Sequence, residues 1–166
     1  MKNLFLLVLV IALVFYAYKK FGSSGTWQTD NDQPAAYRTL DMQFTLQGRD
    51  FSFKAVGEFP SQSVCETIQQ KRASLIEEVQ QWCSSTQGCR SASVSRCGSS
   101  IEERYKSMLG KNNADVYYMH AQSSNNQRVV MVFWGLSDAE GKIVCEQGRQ
   151  DLLKKYASDE VSCVPA

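Results

Sequence analysis

A chain of 166 residues has room for one ordinary domain or two very small ones, and its formal charge is only +1. Lys2, Lys19 and Lys20 all flank one apolar segment. Without them 15 basic side chains face 17 acidic ones, so the remainder is close to −2. With neither a basic stripe nor a charge block, the composition argues against nucleic-acid binding and against a polybasic membrane-surface patch.

Residues 1–21 read as a membrane anchor. Leu4 to Tyr18 (LFLLVLVIALVFYAY) carries no charge and no helix breaker. Extended through Lys19, Lys20 and Phe21, with both lysines snorkelling outward, it forms a helix of ~27 Å, adequate for a thin bilayer. A cleaved signal peptide is the competing reading. Against it, no small A-x-A-like pair follows the run, Phe15, Tyr16 and Tyr18 crowd its end, and two lysines stand where a peptidase would cut. Lys2 and the α-amino group nearly balance Lys19 and Lys20 across the span, so flanking charge leaves the orientation open. Residues 22–36 (GSSGTWQTDNDQPAA) are a polar linker, and 37–166 are the folding domain.

Cys65, Cys83, Cys89, Cys97, Cys145 and Cys163 form an even set behind an export-type segment, the pattern of a disulfide framework. Zinc is the alternative, but there is no C-x-x-C pair and the sole histidine, His120, lies far from the cysteines in sequence. No metal and no cofactor is expected. Disulfides require an oxidising compartment, which places the N-terminus in the cytoplasm and the domain outside. Sequons are absent, which favours a bacterial inner membrane and periplasm over a secretory lumen.

The domain contains a repeat. RTLDMQFTL, a turn at QGRD, FSFKAVGEF and a helix opening Val64-Cys65-Glu66 match DVYYMHA, a turn at QSSNN, QRVVMVFWGL and a helix opening Val144-Cys145-Glu146. Leu40, Met42, Phe44 and Leu46 alternate with Thr39, Asp41, Gln43 and Thr45, as in a half-buried strand. The first helix, starting at Ser61, has Val64, Ile68, Leu75, Val79 and Trp82 at helical spacing. The second has Cys145, Leu152 and Tyr156 inward and ends near Ala157. A short third helix is expected from Ile101 to Leu109, with a Ser99-x-x-Glu102 capping box and a stop at Gly110. The fold class is therefore α+β: two ββα units sharing an antiparallel sheet, helices mainly on one face, stapled by disulfides.

Helix geometry restricts the pairing. Cys65 and Cys83 at opposite ends of one unbroken helix would be ~27 Å apart, against the ~7 Å a disulfide tolerates. Cys145 can reach Cys163 once its helix ends and the chain returns. By analogy Cys65 meets Cys97, leaving Cys83 with Cys89.

No motif names a reaction: there is no P-loop, no G-x-G-x-x-G, no G-x-S-x-G, no H-E-x-x-H and no C-x-x-C. His120 reads as structural, and Glu77-Glu78 and Glu102-Glu103 as solvated pairs. The informative strand is Arg128 to Leu136, apolar on both faces. Burial by the third helix or the termini is one reading of its outer face. A partner-binding surface of Tyr117, Met119, Val130, Val132 and Trp134 is the other. The expected role is non-enzymatic: an anchored envelope protein whose outer domain binds a protein partner or supports an envelope assembly. An inhibitor or immunity-type protein is the alternative within that class, and a cell-wall hydrolase using His120 or a carboxylate is the alternative outside it.

Reporter fusions after Phe21 and at the C-terminus should both report a position outside the cytoplasm. A cytoplasmic signal from both, or a mature chain starting beyond residue 21, would overturn the orientation.

Overall fold

The structure is a computed structural model and describes residues 35–46, 48–123, 127–155 and 160–166. The expected anchor, most of the linker, the centre of the QSSNN turn, Tyr156 and Ala157 lie outside those residues. Among the described residues no helix is long and apolar enough to cross a membrane.

The alternating runs become strands. β1 (Ala36–Leu46) and β2 (Arg49–Phe59) form a hairpin whose turn needs Gly48 at φ +77. After β2 come α1 (Gln62–Lys71), α2 (Leu75–Ser85) and β3 (Cys89–Val94). α3 (Glu103–Leu109) then leads to a second hairpin, β4 (Tyr118–Gln122) and β5 (Arg128–Trp134). α4 (Asp138–Lys155) and β6 (Glu160–Val164) complete the described chain. The six strands make one antiparallel sheet in the order β3-β1-β2-β5-β4-β6.

That order makes each repeat ββαβ rather than ββα. The strand after each helical layer returns to the outer edge of its own hairpin, β3 beside β1 and β6 beside β4. β3 runs just ahead of Cys97, and β6 contains Cys163, so the two cysteines hold equivalent places in the repeat. The two units meet along β2 and β5, where Phe53 pairs with Phe133. Phe53 stands twelve residues before Cys65, and Phe133 twelve before Cys145, so a pseudo-twofold axis passes between these phenylalanines. Their ring centroids are 4.7 Å apart.

The sheet is covered on both faces. On one face Leu40, Met42, Phe44, Phe53, Met119, Met131 and Phe133 pack under α1, α2 and α4, which contribute Cys65, Ile68, Leu75, Val79, Cys145 and Leu152. On the other, α3 lays Tyr105, Met108 and Leu109 over Val56, Tyr118, Val130, Val132 and Val164. Helices thus lie mainly on one face, with one exception.

Three local expectations change. The first helix is two helices. Lys71 sits in the last turn of α1 and Glu77 and Glu78 in the first turn of α2, a charge order that suits a helix end followed by a helix start. Ser74 Oγ, at that junction, donates to the Glu78 carboxylate at 2.6 Å. Ser61 does begin α1, its Oγ accepting from the Val64 N–H at 3.3 Å. The capping box at Ser99 does not form: α3 starts at Glu103, and Arg104 holds the Glu102 carboxylate at 2.8 and 2.5 Å. A capping box forms instead at Ser137 and Glu140 and starts α4 six residues before Val144. The Glu140 carboxylate accepts from Ser137 N at 2.9 Å, and the Glu140 N–H lies 3.4 Å from Ser137 Oγ. Arg49 grips the same carboxylate at 2.8 and 3.1 Å, and these bonds hold its pKa down to about 2.

The disulfides are Cys65–Cys97, Cys83–Cys89 and Cys145–Cys163, the expected pairs, although the unbroken helix used to separate Cys65 from Cys83 is in fact two helices. Cys65 and Cys145 ride on equivalent helices and each ties its helix to the chain at or just beyond the returning strand. Cys83 and Cys89 close the step from α2 into β3.

Non-reducing peptide mapping should return these three pairs and no free thiol. Replacing Cys145 and Cys163 together by serine should cost ~3 kcal/mol, because the bridge spans 18 residues of chain. A much smaller loss in the denaturation midpoint would show that the bridge does not restrain β6.

Candidate functional site

The antiparallel register sorts the sheet's α3 face into cross-strand rows. One row runs Gln43, Ser52, Trp134. The next runs Asp41, Lys54, Val132, Tyr118, Val164, and a third Thr39, Val56, Val130, His120, Ser162. The first unit contributes mainly polar residues and the second mainly apolar ones. α3 covers the apolar part and stops short of the polar part, and Trp134 stands at the border.

This placement corrects most of the expected binding surface. Val130 and Val132 have no exposed surface, because α3 lies on them. Met119 is 2% exposed and faces the opposite layer, with Met131 and Phe133. Tyr117 is half-buried and lines a small cavity with Met119, Gly141 and Val144 under α4. The physical reason is that β5 lies inside a sheet covered twice, where apolarity on both faces is what burial requires. Of the five residues, Trp134 alone keeps substantial access while lying beside an open cleft.

The cleft encloses about 300 Å³. Its floor is the polar part of the sheet, Asp41 and Gln43 from β1 and Ser52 and Lys54 from β2. Its walls are Trp134 from β5 and Arg104 and Tyr105 from α3. The Arg104 guanidinium stands 5.1 Å from the ring centres of both Trp134 and Tyr105, and Lys54 Nζ lies 4.8 Å from the Tyr105 ring centre. Lys54 also meets Asp41 at 2.9 Å and Glu102 at 3.7 Å. Burial alone would lower the Lys54 pKa, but the bond to Asp41 and the charges of Asp41, Tyr105 and Glu102 outweigh it and raise the pKa. Lys54 is therefore a protonated donor here, not a base. Each cation in the cleft has a carboxylate neighbour and an aromatic face, so the cleft offers stacking surface and fixed donors and acceptors with little net charge.

Sequence reasoning missed Lys54, Arg104 and Tyr105. Nothing local marks them, since they come from two distant segments. The one available signal was the polar outer face of β1 and β2 set against the apolar outer face of β4 and β5.

His120 lies elsewhere, in the third row. Its ring is 1% exposed, and its Nε2 stands 3.2 Å from the Leu109 carbonyl at the end of α3. A carbonyl only accepts, so Nε2 carries a proton in either charge state of the ring. Burial pushes its pKa down to about 4, and the charges of Lys111 and Arg128 push in the same direction. Its Nδ1 has no hydrogen-bond partner among the described residues, and neither has Ser162 Oγ on the facing residue of β6. Neither the Trp134 cleft nor the cavity beside Tyr117 is lined by His120. Among the described residues no group of three or more His, Cys, Asp or Glu side chains could hold a metal ion.

The architecture is thus a disulfide-stapled α+β domain, a pseudo-symmetric pair of ββαβ units with a cleft where a connecting helix covers half of one sheet face. No protein-family model, no curated protein and no solved structure matches the chain.

Leu109→Ala should cost about 2–5 kcal/mol, as deletion of a fully buried leucine does. Trp134→Ala should cost well under the ~3–5 kcal/mol of a fully buried tryptophan. Thermal melts of the two variants side by side check this, and a collapse of the Trp134 variant would place that ring in the core instead.

Proposed function

We propose that the protein is a single-pass envelope protein, held in a bacterial inner membrane by residues 4–21, whose outer domain acts without catalysis. Its role is to bind a protein partner or support an envelope assembly, and the Trp134 cleft is the contact. The observation that carries this reading is the meeting of Trp134, Tyr105 and Arg104 in one open cleft of about 300 Å³. Trp, Tyr and Arg are the residues that most often dominate interface energetics. Arg104 also links the two aromatic rings, because its guanidinium lies over both at 5.1 Å from each ring centre.

The anchor and the cross-links support the same reading. A polar linker of some fifteen residues sets the domain off from the membrane, within reach of an assembly on that surface. Three disulfides hold the sheet and the cleft floor in one geometry, which lowers the ordering cost of binding.

The test is capture from detergent-solubilised membranes with the full chain, identification of the partner, and affinity measurement with purified components. Trp134→Ala and Arg104→Ala should each weaken binding by ~2 kcal/mol or more, roughly 30-fold, with folding retained. Lys142→Ala, exposed on α4, should bind as the parent does. Equal affinity in all three variants would remove the cleft from the contact.

A further inference from the structure

The three disulfides are unevenly placed. Cys65–Cys97, Cys83–Cys89 and Cys145–Cys163 all restrain α1, α2, α4 and the outer strands. α3, which covers the opposite face, has no covalent tie of its own. It spans seven residues, its first turn lacks a side-chain cap, and only packing and hydrogen bonds hold it down.

Those hydrogen bonds converge at its C-terminal end. The Leu109 carbonyl meets His120 Nε2 at 3.2 Å and Arg128 Nη1 at 3.3 Å. From every element packed there, the groups facing the imidazole are known. Lys111 follows α3, and Arg128 on β5 is paired with Glu58 of β2. Ser162 and Glu160 are on β6, and Glu160 is paired with Lys111. Both carboxylates there are thus engaged, Glu58 with Arg128 and Glu160 with Lys111, and neither is free to pair with a protonated ring.

We propose that His120 makes α3 an acid-weakened cover: protonating this ring favours detachment of residues 101–112 from the sheet ahead of the disulfide-stapled layers. A second ring proton would have no acceptor on Nδ1 and would add a third positive charge beside Lys111 and Arg128. The closed arrangement holds the neutral form, whereas lifting α3 returns the ring to water. Arg104 and Tyr105 leave with α3, so the same event opens one wall of the Trp134 cleft. Only this last consequence, control of binding, rests on the function proposed above.

The direction follows from the shift. The imidazole titrates near 4 when covered and near 6.5 in water, so the cover is at full strength above pH 6.5 and weakens as pH falls toward 4. Between pH 7.5 and pH 4.5 the opening equilibrium should rise roughly 70-fold.

Hydrogen exchange on the full chain in detergent, corrected for the intrinsic pH dependence of exchange, reads this directly. Amides of Tyr105 to Gly110 should open roughly 70-fold more at pH 4.5 than at pH 7.5, with much smaller changes in α1, α2 and α4. In His120→Gln, which keeps a donor to Leu109 without a titrating ring, the excess should vanish. As a check that needs no variant, the protein has one histidine, so NMR titration of its only imidazole should give a midpoint near 4. An equal response in His120→Gln, uniform loss of protection in all helices, or a midpoint near 6.5 with α3 still protected would each overturn the proposal. None of these readouts involves a partner, so failure of the binding reading and failure of this one are separately visible.

Discussion

The seam between β2 and β5 is the contact on which the rest of the structure depends. It joins two ββαβ units into one sheet through seven register pairs from Ser52–Trp134 to Glu58–Arg128. Phe53 and Phe133 sit on its axis, on the face buried by the larger helical layer. A three-stranded unit with its own helices would leave its hairpin's inner edge, β2 or β5, unpaired. Joined, the two units bring Phe53, Ala55, Met131 and Phe133 together as a continuous floor for α1, α2 and α4. The seam is also tied at its two ends, where Glu58 meets Arg128 and Arg49 meets Glu140. The turn after β5 allows no slack there: a Cβ on Gly135, at φ +90, would fall 2.8 Å from the Asp50 carbonyl oxygen.

The same seam creates the difference between the two sheet faces. Pairing β2 with β5 sets the polar outer side chains of the first unit beside the apolar ones of the second. The segment between the units is spent on covering the apolar half, which leaves the polar half in water. Trp134 falls at the edge of that cover because its register partner is Ser52, one row beyond the last row that α3 protects. The cleft is a consequence of partial coverage, and so is the lack of covalent restraint on α3. A sheet stapled on one face and merely covered on the other has its adjustable layer determined by where the cysteines are.

Much of this was legible residue by residue. Alternation in Thr39 to Thr45 gave the strand and its two faces, because a strand's side-chain period is two whatever surrounds it. Ser61 marked a helix start, since an oxygen at that position satisfies a free N–H within a few bonds. The reach from Cys145 to Cys163 followed from helix and strand dimensions, and the repeat carried that pairing over to Cys65 and Cys97, leaving Cys83 with Cys89. The break at residues 72–74 was less visible because the apolar spacing from Ile68 to Leu75 continues through it, and only the charges on either side reveal it. Ser137-x-x-Glu140 was as readable as Ser99-x-x-Glu102, and nothing local told which of the two would cap a helix.

By itself, then, the sequence determined the two hairpins, the helical segments, the repeat, the oxidised cysteine framework and the alternation of the first hairpin, all consequences of interactions within a few residues or of helix and strand dimensions. Tertiary structure alone decided the strand order, which sends β3 and β6 to the outer edges, and the identity of what lies on each apolar face. Val130, Val132 and Trp134 show the reason. They share one side of one strand and look equivalent in sequence, yet the first two are sealed under Met108 and Leu109 while the third borders a cleft with Arg104. An apolar side chain records that it is better out of water. Which surface removes it from water is set by segments far away along the chain, through long-range packing that no local pattern encodes.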